Sequence, residues 1–115
     1  MVIAPGRQQE YERQAITVLT AGVLSEQTLA EVLESEVLSV DHTGAGDFAT
    51  VRHSSVPKQR ITCYEPMVFG TEGDLTVGFL VILMDQELTL ECHKGTGECV
   101  PLDVRDRRLE IKPAP

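Results

Sequence analysis

Basic residues are scarce in this chain. Ten Lys and Arg stand against eighteen Asp and Glu in 115 residues, a formal charge of −8, and no Lys or Arg occurs between Arg13 and Arg52. Nucleic acid and anionic membranes call for a cationic surface, so neither is expected as the main partner. Long apolar runs are missing as well. None approaches the ~18 residues of a membrane-spanning helix. The opening Met1-Val2-Ile3-Ala4-Pro5-Gly6 has no basic region followed by an apolar stretch, so no signal peptide is expected. Cysteines number three, an odd count that suits free thiols in a reducing cytoplasm better than a disulfide framework. No C-x-x-C pair sets tight metal-ligand spacing, and neither a metal nor a cofactor is expected. Repeats, linkers and low-complexity segments are also absent.

The apolar content is ordinary. At 42 % hydrophobic residues, 1–115 reads as a single domain with one core. Residues 8–35 form a helix pair in this reading. Tyr11, Ala15, Val18 and Leu19 recur at helical spacing, with Gln8, Glu12 and Arg13 on the other face. Gly22 ends the first helix, Ser25 caps the second, and Leu29, Val32 and Leu33 make its apolar stripe. From Glu36 the period changes to two. Short strands are expected at 37–40, 48–51 and 60–64, a long one at 75–84, an alternating one at 87–93 and a charged edge at 108–112. Pro66 should turn the continuation through Met67-Val68-Phe69 into an edge or a bulge. Residues 113–115 should fray. The fold class is α+β, with an N-terminal antiparallel helix pair on one face of a five- or six-stranded, mostly antiparallel meander (36–112).

Several short strings suggest chemistry. Asp41-His42-Thr43-Gly44-Ala45-Gly46-Asp47-Phe48 resembles the D-T-x-G-A-G-D-x-F signature of ribokinase-like sugar kinases, whose last Asp, here Asp47, is the catalytic base. His42 stands where that family has Thr, and the β-pattern after Asp47 leaves no helix N-terminus to hold phosphate. A hairpin loop is the better reading. Thr20 to Leu29 resembles the turn and second helix of helix-turn-helix repressors, but Glu26, Glu31, Glu34 and Glu36 would repel a duplex. Cys92 and His93 are strand neighbours and point to opposite faces, so they do not share a metal. Cys63 and Cys92 read as buried thiols, and His42 and His53 as strand-end core histidines.

One strand face carries polar residues that could act together. Arg52, Arg60, Tyr64, Glu91 and His93 are candidate catalytic residues, a carboxylate, an imidazole and guanidiniums of the kind small microbial ribonucleases use for acid–base cleavage. The favoured expectation is instead a small acidic, non-catalytic binding protein. Glu26, Glu31, Glu34, Glu36, Asp41 and Asp47 form an acidic stretch suited to steering onto a basic protein partner. Immunity proteins and antitoxins are similar in class. A third reading is a small-ligand pocket between helices and sheet. Finally, the 75–84 strand is apolar on both faces, and its Leu80, Ile82 and Met84 side is expected to be covered by a second copy in a homodimer, the alternative being a sheet curled onto itself or under the Cys99–Arg107 segment.

Overall fold

The computed structural model describes residues 2–3, 6–44, 46–94 and 98–113. Its elements are β1 (Val2–Ile3), α1 (Glu10–Leu19), α2 (Glu26–Glu34), β2 (Ser39–His42), β3 (Gly46–Arg52), β4 (Ile61–Glu72), β5 (Leu75–Met84), β6 (Glu87–His93) and β7 (Glu110–Pro113). A 3-10 turn, Val104–Asp106, precedes β7. The domain is α+β, with the helices first and an antiparallel sheet after them, as expected. The two-residue β1 brings the sheet to seven strands in the order β1-β2-β3-β6-β5-β4-β7.

Local chemistry sets the helix boundaries. The Gln9 N–H donates to Glu12 Oε1 at 2.7 Å at the start of α1, and the Thr28 N–H donates to the Ser25 hydroxyl at 3.1 Å at the start of α2. Gly22 takes φ +81° in the turn between them, a backbone that L side chains resist. The beginning of α1 lies against the end of α2. There Gln8 donates to the Val32 and Ser35 carbonyls, and Arg13 donates to that of Leu33. Tyr11, Ala15, Ile16 and Leu19 of α1 and Val32 of α2 are buried on the sheet.

The strand order departs from a simple meander at one place. β4, β5 and β6 follow one another by two-residue turns, and β6 then returns to pair with β3 along its whole length, from Arg52↔Glu87 to Gly46↔His93. This is a Greek-key arrangement. It requires residues 53–60 to cross the end of the sheet, where they bond to the β5–β6 turn. The Asp85 N–H donates to the Lys58 carbonyl and the Gln86 N–H to that of Pro57, while the Gln86 carbonyl accepts from the His53 N–H. Asp85 and Gln86 both have positive φ, 54° and 62°, the type I′ geometry of two-residue hairpins. Pro66 falls in a bulge between Cys63 and Val68, and β7 pairs with β4 only beyond it. Pro113 ends β7 rather than fraying, while Ala114 and Pro115 lie outside the described residues.

One face of the sheet is covered. Val51, Val77, Val81, Leu83, Leu88, Leu90 and Cys92 join the helix side chains in a single core. The chain after β6 covers this same face. The Val100 N–H donates to the Gly44 carbonyl at 2.9 Å, and Val100, Val104 and Leu109 are buried in that core. Arg105 reaches Glu12 of α1 from there, at 3.0 and 2.9 Å. The Cys99–Arg107 segment therefore does not lie under the opposite face, which stays open among the described residues.

Candidate functional site

The open face is built from alternate residues of six strands, β2 to β7. Across the sheet the register aligns Arg52, Glu87 and Met84, then Thr50, Thr89, Ile82 and Thr62, then Asp41, Phe48, Glu91 and Leu80, and finally Gly46, His93, Gly78, Phe69 and Lys112. Tyr64 and Met67, at the two sides of the Pro66 bulge, are each 58 % exposed, and Met84 is 41 % exposed. Leu80, Ile82, Phe69 and Phe48 are half-buried beside them. Isolated exposed apolar residues are commonplace, but a contiguous patch on one sheet face marks an interaction surface.

Gly78 shapes the centre of this face. A Cβ added there would stand 2.8 Å from the His93 Cε1 and 3.2 Å from its Nε2, so only glycine lets the imidazole lie across β5. Beside it is a notch of about 200 Å³ lined by Tyr64, Met67, Phe69, Leu80 and His93. Glu91, directly opposite Leu80, has no ion-pair partner among the described residues.

The five candidate catalytic residues do not converge here. Arg52 is paired with Glu87, and the six residue positions from Glu87 to His93 put it roughly 20 Å from the imidazole at the usual rise per residue. Arg60 precedes β4 in the crossing loop and is exposed at that same far end. Only Tyr64, Glu91 and His93 are neighbours, and Leu80 stands between Tyr64 and Glu91, roughly 10 Å apart across two strand spacings. The arginines meant to hold developing negative charge are thus absent from the imidazole's surroundings. Alternation alone placed all five on one face and carried no information on how far apart they lie.

The acidic stretch is divided. Glu26, Glu31, Glu34, Glu36 and Asp41 are exposed, with Glu31 3.1 Å from His53 Nε2 and Glu34 3.5 Å from Arg13. Asp47 is not part of that surface. It is 2 % exposed on the covered face, because in β3 it alternates with Phe48 and shares its side with Ala49 and Val51.

Asp47 instead belongs to a buried polar group that the sequence reading missed. On the covered face the register aligns His42, Asp47, Cys92 and Phe79 on adjacent strands. Asp47 Oδ1 is 3.4 Å from His42 Nδ1. Burial raises the Asp47 carboxyl above its ordinary range, with the His42 hydrogen bond opposing that shift. Burial first, and Asp47 and Glu12 after it, raise the Cys92 thiol and keep it protonated. The histidine is two strands from the thiol, so it cannot serve as its base. Tyr11, in ring contact with Phe79 at 5.7 Å, has a buried hydroxyl with no hydrogen-bond partner among the described residues. No group of three or more metal-ligating side chains occurs among the described residues.

Between the end of α1 and β4 there is a groove of about 200 Å³ lined by Leu19, Ala21, Val23, Ile61, Cys63 and Glu65. A groove of about 530 Å³ lies between α1 and residues 105–110. Of its three arginines, Arg105 is paired with Glu12 and Arg107 with Glu72 and Asp103, while Arg108 bonds Glu72 through its backbone N–H. Among the described residues no helix is long and apolar enough to cross a membrane. No protein-family model, curated protein or solved structure matches this chain.

Proposed function

We propose that the protein is a non-catalytic binding module that takes up a basic protein partner and so neutralises or regulates it. The carrying observation is the open sheet face, where exposed Tyr64, Met67 and Met84 surround half-buried Leu80 and Ile82 and the border includes Asp41 and Glu91. An apolar centre with a charged border is the anatomy of a protein interface. The net charge of −8 and the exposed Glu26, Glu31, Glu34 and Glu36 supply long-range attraction for a cationic partner. Capture from the native host at low and high salt tests this, alongside a Glu26→Lys, Glu31→Lys, Glu36→Lys variant. The expected partner is basic, and both salt and charge reversal slow its association. An acidic partner, or binding indifferent to ionic strength, overturns the proposal.

A second reading of the same face is a second copy of the chain. The stripe Leu80, Ile82 and Met84 runs along one side of β5 and favours it, since stacked sheets bury such stripes against each other. Burying these three side chains contributes on the order of 5 kcal/mol per subunit before association costs.

A further inference from the structure

Resting on the basic-partner reading, we infer that the notch beside Gly78 receives one arginine or lysine side chain of that partner. At about 200 Å³ the notch is smaller than the ~300 Å³ at which small-molecule sites begin, so a single side chain suits it better than a free ligand. Its walls are apolar and aromatic. Met67 and Leu80 suit an aliphatic stem, and the rings of Tyr64 and Phe69 suit a cation held against an aromatic face. One carboxylate is in place for the head group. Glu91 lies on this face directly opposite Leu80, beside the His93 and Leu80 walls of the notch, and has no ion-pair partner among the described residues. Cations elsewhere on this face are accounted for or distant. Arg52 is held by Glu87 and Lys112 by Glu110, and Arg60 lies at the far end of the sheet. An apolar side chain would leave the Glu91 carboxylate beside the contact without a counter-charge. A cationic one satisfies both the walls and the border.

Gly78 is what makes the notch. Because His93 occupies the volume a Cβ would take, any side chain at position 78 must displace the imidazole into the notch or away from it. Glycine in the middle of a long strand weakens it, and close approach by another group is a common reason for one there.

The test uses the whole chain labelled at its methionine methyls and histidine rings, with three nine-residue probe peptides of alternating glycine and arginine, glycine and lysine, or glycine and glutamate. Met67 reports on the notch, and Met84 on the same face at its other end serves as the internal control. The arginine or lysine peptide should shift the Met67 and His93 signals at low salt and leave Met84 in place, while the glutamate peptide does neither. Gly78→Ala should weaken this binding about tenfold, corresponding to about 1.4 kcal/mol, and so should the near-isosteric Glu91→Gln. Binding that shifts His53, which sits against Glu31 of α2, and not Met67 overturns the notch and leaves the basic-partner reading standing. No binding of either basic peptide at any site overturns both. Met67 and His93 signals that move on dilution of the protein alone assign the face to a second copy and overturn the notch.

Discussion

Arg105 and Glu12 are joined by two hydrogen bonds, at 3.0 and 2.9 Å, although 93 residues separate them in the chain. Glu12 is 2 % exposed and the Arg105 side chain 12 %, and Arg105 also donates to the Arg7 carbonyl. This buried pair pins the segment before β7 onto α1. Removing one partner leaves the other charged and desolvated. Glu12→Gln should therefore cost about 3–5 kcal/mol, and the joint change Glu12→Leu with Arg105→Met should recover most of it. Urea unfolding of the three proteins checks this. A double variant no better than the single one would sink it.

The Tyr11 hydroxyl should resist ionisation. Burial is the main cause of its raised pKa, with Glu12, Cys92 and Asp47 adding to it and Arg105 opposing. In a Tyr64→Phe variant Tyr11 is the sole tyrosine, and no tyrosinate absorbance should develop while the chain stays folded. Because the native pKa exceeds the unfolded one near 10.0, stability falls as pH rises through that unfolded value. Tyrosinate should thus appear together with loss of the far-ultraviolet signal. Ionisation well ahead of unfolding would contradict the burial of this ring.

Asp47 has a similar sign at lower pH. Its carboxyl is raised above the ordinary value of 3.8, so the native state keeps the proton to higher pH than the unfolded chain does. Stability from this group is lost as pH rises from 3.8 through the native value. Asp47→Asn cannot lose a proton, and its urea midpoint should vary less with pH over the weakly acid range than that of the wild type. Parallel curves would show that Asp47 is not the responsible group.

Leu88 is fully buried between β3 and β5, and Leu88→Ala should cost about 2–5 kcal/mol. On the opposite face, Ile82→Glu should leave stability nearly unchanged while setting the mass in solution. If a second copy covers the open face, wild type at high micromolar concentration scatters light as two chains and Ile82→Glu as one. Equal masses would remove the self-association reading.

Much of the fold was legible because it rests on periodicity. Tyr11, Ala15 and Leu19 marked α1, Gly22 and Ser25 marked the turn between helices, and the alternation of Leu88, Leu90 and Cys92 marked the buried side of β6. Even the bulge at Pro66 followed from the missing N–H. Strand order was not legible, since the pairing of β3 with β6 depends on a crossing loop whose residues carry no signal for where it leads. The site was legible only in part. Alternation put Tyr64, Glu91 and His93 on one face but could not reveal that Arg52 and Arg60 stand at its other end. Asp47 was misplaced because charge suggested the surface, whereas its step in β3 beside Ala49 and Val51 put it inside. The notch depends on Gly78, and a lone glycine in a strand says only that something comes close.

The pairing of β3 with β6 also sets the order in which the sheet can assemble. β4, β5 and β6 can form among themselves through two-residue turns, whereas the partners in β3 and β6 are 35 residues apart at Arg52↔Glu87 and 47 apart at Gly46↔His93. Joining them closes a long loop, the slow kind of step in folding. During synthesis the hairpin of β2 and β3 emerges long before its neighbour, with one edge unpaired and Val40, Ala49 and Val51 not yet covered. A nascent chain paused after β5 is therefore the species most exposed to pairing with the wrong strand.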